Sequence, residues 1–205
     1  MRAEEVEALF TRADGSYLFA SWARPIVPVV FGVEEATLAV IKGAVEAVVT
    51  LAGHRMAETD AEQGANLMIF FCRDWAEILV VPDLDRLVEG LGPLVARLQA
   101  RNANQYRHFR FEADGAIRAC VCFVRLDAAL AALPAAELAL SLAAKVILLW
   151  SDRALHDTAL LARAGEVAVM RPEVAALIRA AYDPVLPAVA REASHALRLA
   201  ARLGF

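Results

Sequence analysis

Apolar residues recur along this chain at two periods, and the changes of period mark its elements. Between residues 34 and 52, Leu38, Ile41, Val45, Val48 and Val49 repeat at helical spacing and Gly53 follows them. That pattern predicts a long amphipathic helix with a C-terminal stop. Residues 66–72, Asn-Leu-Met-Ile-Phe-Phe-Cys, form a continuous apolar run of strand length, as expected when both faces are covered. Residues 106–111 alternate, Ala113-Asp114-Gly115 reads as a hairpin turn, and 117–126 read as the partner strand. Alternation along that partner places Ile117, Ala119, Val121 and Phe123 on one face. Arg118, Cys120, Cys122 and Val124 take the other.

The remaining segments follow from breakers and shorter patterns. Residues 3–11 predict a short amphipathic helix and Asp14-Gly15-Ser16 a turn. Residues 17–22 lead into Arg24-Pro25, and 26–31 read as a strand whose Pro28 demands an edge or a bulge. A second strand is expected over 54–59 and a polar turn over 60–64. Asp83 is expected to cap a helix running to Leu98, with a weak point at Gly90 and Gly92-Pro93. Pro134 opens a helix to about Trp150, and residues 151–169 read as irregular or as a short helix. Arg171-Pro172-Glu173 starts another helix, with proline in the first turn, where its missing N–H costs nothing. Tyr182-Asp183-Pro184 ends it. A last helix is expected over 185–203, with an apolar stripe of Leu186, Val189, Ala193, Leu197 and Ala200 that serves a core or a dimer equally. A helix, mixed strands and then helices predict an α+β fold: a small mixed sheet packed by helices, with a helical C-terminal half, in a single domain over residues 1–205.

Composition narrows the classes. The 59% hydrophobic content of the 205 residues is largely alanine, a helix former that is only weakly apolar. The most apolar window, residues 138–150, contains Lys145 and is too short for a bilayer span. A net charge of -4 with interspersed signs argues against a nucleic-acid surface. Arg97, Arg101, Arg107, Arg110 and Arg118, with Glu112 and Asp114 nearby, read as a solvated face. Cys72, Cys120 and Cys122 make no disulfide framework, and Cys120 and Cys122 read as small core residues rather than a redox pair or soft metal site. The charged N-terminus shows no apolar leader, so the chain as written reads as cytoplasmic, or as secreted if a leader has been removed.

Three segments, in order, carry a resemblance. They are Trp22-Ala-Arg-Pro-Ile-Val-Pro-Val-Val-Phe-Gly32 before the long helix, Gly64-Ala-Asn-Leu-Met-Ile-Phe-Phe71, and Pro172-Glu-Val-Ala-Ala-Leu-Ile-Arg-Ala-Ala-Tyr-Asp-Pro184. Together they resemble a family of uncharacterised bacterial proteins with a zincin-like (metzincin-like) domain. The second also looks like the Ala-Asp-Ile-Met-Ile-x-Phe strand of matrixin peptidases. The resemblance covers most of residues 17–187 and implies a zincin-like plan with an active-site helix between the hairpin and the late helix. In active zincins that helix carries His-Glu-x-x-His, two ligands on one helical face with a glutamate base beside the first. Here Glu137 matches the glutamate, while the ligand positions fall on Ala136, Leu140 and Val146. Zinc needs nitrogen, sulfur or oxygen donors at about 2.0–2.3 Å, and these aliphatic groups offer none. Residues 109–155 contain no histidine, so a slip of the alignment changes nothing. The resemblance therefore implies a pseudo-peptidase with no cofactor and a vestigial Glu137.

Other chemistry is sparse. His54, His108, His156 and His195 are scattered, and Glu192–His195 and Asp152–His156 read as surface pairs. No G-x-S-x-G, G-x-G-x-x-G or P-loop occurs. Trp75, just after the apolar strand, is the aromatic expected to be exposed at a cleft. The leading expectation is a non-catalytic module binding a peptide or partner protein between the 66–72 strand and the 135–150 helix, by strand addition, with Asn66, Trp75, Glu137 and Tyr182 as binding residues. The alternatives are a hydrolase whose site gathers Asp152, His156, Asp157 and Tyr182, or a structural homodimer.

Overall fold

The computed structural model describes residues 1–62 and 64–204, except for the side chains of His156 and Asp157. In chain order the elements are α1 (Ala3–Phe10), β1 (Phe19–Ala20), β2 (Pro28–Phe31), α2 (Glu35–Leu51), β3 (Leu67–Cys72), α3 (Ala76–Leu79), α4 (Leu84–Leu87) and α5 (Leu91–Ala100). Then come β4 (Gln105–Phe111), β5 (Ile117–Arg125), α6 (Ala128–Ala131), α7 (Ala135–Val146), α8 (Asp152–Asp157), β6 (Leu161–Ala164), β7 (Val167–Met170), α9 (Pro172–Ala181), β8 (Val189–Ala190) and α10 (Ser194–Ala200). The fold is α+β, as the order of sequence patterns predicts.

The main sheet has the order β2-β3-β5-β4, with β2, β3 and β5 parallel and β4 antiparallel to β5. Apolar side chains leave it on both faces. Leu67, Ile69 and Phe71 of β3, with Cys120, Cys122 and Val124 of β5, join the cluster that α1, α2, α7 and α9 cover. Phe70, Cys72, Val121 and Phe123 join a second cluster under α3–α5, with Trp75, Leu94 and Leu98. This two-sided burial is what the unbroken apolar run of β3 predicts.

Alternation holds along β5 except at its first residue. The register moves from Arg110↔Ala119 to Phe111↔Ile117, a bulge that inserts Arg118 and turns Ile117 onto the cysteine face. Pro28 sits at the sheet edge, as expected, and it also explains why 54–59 forms no strand. Ile26 pairs with that segment through Ile26 N to Arg55 O (2.9 Å) and Ala57 N to Ile26 O (3.1 Å). The next donor on that side would be the N–H that Pro28 lacks, so a single bridge, Ile26↔Met56, remains.

Other expectations are sharpened or corrected. The weak point at Gly90 is a break between two helices, with Val88 extended and Gly90 left-handed, whereas Asp83, itself left-handed, makes no side-chain cap. Helix α7 stops at Val146, and residues 148–151 run extended beside Ala20 and Ser21, with Leu149 N donating to Ala20 O at 3.0 Å. Residues 151–169 hold α8 and a hairpin, β6–β7, across a Gly165-Glu166 turn. The 185–203 helix is reduced to α10, because Pro184 and Pro187 cannot sit in a helix interior and residues 189–190 pair with β1 instead. The stripe goes with it: Leu197 is 61% exposed, while His195, Ala196 and Leu199 face inward. Among the described residues no helix is long and apolar enough to cross a membrane.

His195 is the opposite of a surface partner for Glu192. It is 3% exposed, its ring centroid lies 4.4 Å from that of Phe19, and its Nδ1 is hydrogen-bonded to Tyr17 Oη at 3.0 Å, while Nε2 has no partner among the described residues. Burial, helped by Arg198 and Arg202, lowers its pKa from 6.5 to about 4. Folding therefore favours the neutral ring. The stability this contributes is complete above the unfolded value and is lost as pH falls from 6.5 through 4. Going from about pH 7 to about pH 4.5, the wild type should lose about 2 kcal/mol more unfolding free energy than His195→Gln, which cannot titrate. Urea unfolding of both proteins at the two pH values measures this, and equal losses would remove His195 as the cause.

Candidate functional site

The cleft expected between the 66–72 strand and the 135–150 helix is filled. β3 is a central strand, paired to β2 and β5 along its length, so it has no free edge. Leu138, Ala139, Leu142, Ala143 and Val146 of α7 are buried in the same cluster as Ile69 and Phe71. What remains is an apolar hollow of about 250 Å³ at one end, lined among others by Ile41, Phe71, Leu138 and Ala139.

The binding residues expected there do structural work. Asn66 is fully buried, accepting from Val27 N at 2.8 Å and donating to Pro25 O at 2.8 Å and Asp60 Oδ2 at 3.2 Å. Trp75 is not exposed: it is 2% accessible, and its Nε1 donates to Ala103 O at 3.0 Å. Tyr182 Oη donates to Ile147 O at 2.7 Å and accepts from Trp22 N at 3.3 Å, and burial raises its pKa. Glu137 is ion-paired to Arg163 of β6 at 2.8 Å. Of the former ligand positions, Ala136 is exposed, Leu140 half-buried and Val146 buried. Among the described residues, no three of His, Cys, Asp and Glu stand together in a way that could hold a metal ion.

The open groove lies elsewhere, along the free edge of β4. Its inner edge is used by β5, and Arg125 N donates to Asn104 O at 2.8 Å, which fixes the phase of the ladder. Antiparallel pairing alternates, so Gln105, Arg107 and Phe109 turn their backbone N–H and C=O groups away from β5. Among the described residues these groups have no partner. Arg107 and Phe109 border a groove of about 500 Å³ that is also lined by residues 149–152, Arg12 and Asp14. It continues past Arg107 into a hollow of about 390 Å³ lined by Asn104, Gln105, Lys145, Asp152 and Leu155.

Two cations stand where the hollows meet. Arg107 opposes Cys122 in the ladder, so its side chain leaves the sheet on the cysteine face and runs under the strand. Its Nη1 donates to Lys145 O at 2.9 Å, and Lys145 Nζ donates to Gln105 Oε1 at 2.8 Å. Neither has a carboxylate within ion-pair distance among the described residues. Burial lowers the pKa of both, and the charge of Arg107 lowers that of Lys145 further. Asp152, exposed at the start of α8, acts on Arg107 only at longer range. The neighbouring Cys122 thiol is buried, and burial raises it to about 11, so it remains a protonated core residue.

Sequence patterning puts Arg107 on a solvated face, and the structure corrects this. Arg97, Arg101 and Arg110 are indeed exposed, but Arg107 is not one of them. The usable signal is parity: Arg107 has the same strand phase as Phe109, which faces the core. As for the hydrolase alternative, Asp152 lies on the groove, whereas the Tyr182 hydroxyl is committed to Ile147 and Trp22. The side chains of His156 and Asp157 lie outside those described. Compared with known protein families, curated proteins and solved structures, the chain matches none.

Proposed function

We propose that this protein is a non-catalytic, zincin-like module that binds an extended peptide by adding it as a strand to the outer edge of β4. The observation that carries this reading is the edge itself. Among the described residues, the outward backbone donors and acceptors of Gln105, Arg107 and Phe109 are unpaired, and the three residues line adjoining open hollows of about 500 and 390 Å³. Strand addition satisfies such groups while side chains at alternate positions supply selectivity. The zincin-like part of the proposal is supported by the element order, β2-α2-β3, the β4–β5 hairpin, then α7 and the late α9, which is the order that the resemblance implies. The non-catalytic part is supported by the aliphatic side chains of Ala136, Leu140 and Val146 and by the ion pair that occupies Glu137.

Amide hydrogen exchange tests the mode of binding. A saturating acetylated, amidated heptapeptide of alternating threonine and valine should slow exchange at the Gln105, Arg107 and Phe109 amides. Methylating alternate peptide nitrogens should abolish both the protection and the binding. No protection on β4, or equal binding of the methylated peptide, would refute strand addition.

A further inference from the structure

We propose that Arg107 and Lys145 form a carboxylate subsite within this groove, which selects a glutamate or aspartate side chain at one interior position of the added strand. The inference rests on the strand-addition reading and specifies what the strand must carry. A half-buried cation without a counter-ion is costlier than one in open water, and among the described residues neither Arg107 nor Lys145, joined by a hydrogen bond, has a carboxylate partner. Their hydrogen bonds go to a carbonyl and an amide oxygen, neither of which neutralises charge. The guanidinium and ammonium retain further donors, and both line open hollows.

Strand geometry says where the complementary charge arrives. A residue opposite Arg107 in an added strand places its side chain on the same face as Arg107, the pairing that makes cross-strand opposite charges favourable. That face is the one over Lys145. An acidic side chain there meets both cations, with guanidinium and carboxylate suited to charge-assisted bonds. The remaining charged groups of the groove do not satisfy this need. The Asp14 carboxylate accepts from Ser16 N and Oγ, at 2.9 and 2.6 Å. Asp152 is exposed and lies beyond ion-pair range of Arg107. Arg12 and His108 add no negative charge.

The test compares acetylated, amidated threonine–valine heptapeptides with Glu, Gln or Lys at the centre, together with the Gln peptide as a free acid, by fluorescence anisotropy. The Glu peptide should bind about tenfold more tightly than its Gln counterpart, with the Lys peptide weakest. That advantage should shrink with added salt and in Lys145→Met. Equal binding of Glu and Gln peptides to the wild type would overturn the subsite and leave strand addition standing. If the free-acid Gln peptide matched the Glu peptide, the carboxylate recognised would be the terminus, against the proposal. If none of the four bound, both readings would fall. The Glu–Gln comparison uses the wild type alone, so it does not depend on the variant folding.

Discussion

Replacing Gly32 with alanine is expected to destabilise the protein by about 2–5 kcal/mol, the sum of about 1–2 for a left-handed backbone and about 1–3 for an overpacked contact. Gly32 ends the edge strand β2 and turns the chain into α2, at a φ of +80°. An added Cβ would overlap the carbonyl oxygen of Phe71, with the Phe71 carbonyl carbon at 3.1 Å. The obstacle is backbone of the central strand β3, which is paired on both sides and cannot give way. Nor can the edge strand slide off, since Phe31 and Phe70 are paired and their rings stack 4.5 Å apart. Gly15→Ala is the control. Its φ is +83°, but no atom lies within 4 Å of the position an added methyl would take, so only the backbone cost of about 1–2 kcal/mol applies. Urea unfolding of the two variants separates the effects. A Gly32→Ala loss no larger than that of Gly15→Ala would mean that the loop relaxes away from Phe71.

The parts of the fold that are legible in the sequence are those where one local signal dominates. The α2 periodicity, the unbroken apolar run of β3, the hairpin turn before β5 and Pro172 at the start of α9 each specify their element without help. The departures arise where a distant partner decides. Residues 189–190 become a strand because β1 is there to pair with them, and residues 148–151 leave the helix because their backbone is taken by Ala20 and Leu9. The β6–β7 hairpin is hidden by composition, since Leu-Ala-Arg-Ala lacks the β-branched residues that mark strands, although Gly165-Glu166 is a fitting turn.

The candidate site is less legible for a related reason. A groove is made by what fails to pair, and absence of pairing has no local signature. Arg107, Gln105 and Lys145 are brought together by an edge strand and the end of a helix some forty residues later in the chain. Asn66, by contrast, stands out from its place in the Ala-Asn strand motif. It proves important, but as a fastener in the core rather than as a binding group.

That role makes Asn66→Ala the second large expected loss, about 3–5 kcal/mol, from several buried bonds broken together. The side chain sits where β2 and β3 begin. It holds Val27 N and Pro25 O ahead of β2, reaches Asp60 in the preceding loop, and the backbone carbonyl of the same residue accepts from Cys120 N of β5 at 2.8 Å. Truncation leaves the Val27 donor and the Pro25 acceptor inside the protein with no replacement, which is the expensive way to lose a hydrogen bond. It also removes one donor from an Asp60 carboxylate whose side chain is only 5% exposed. Asn66→Asp distinguishes hydrogen bonding from packing, because it preserves the shape and reverses the demand. A carboxylate could still accept from Val27 N, but it would face the Asp60 carboxylate and the Pro25 carbonyl with no proton to offer. Its pKa in the folded protein must then rise, so the variant should be least stable near neutral pH and regain stability as pH falls and a proton fills the gap. Denaturant unfolding of Asn66→Ala and Asn66→Asp across the acidic range measures this. An Asn66→Asp protein as stable as wild type at neutral pH would show that the amide nitrogen contributes nothing, and that the starts of β2 and β3 are held by packing alone.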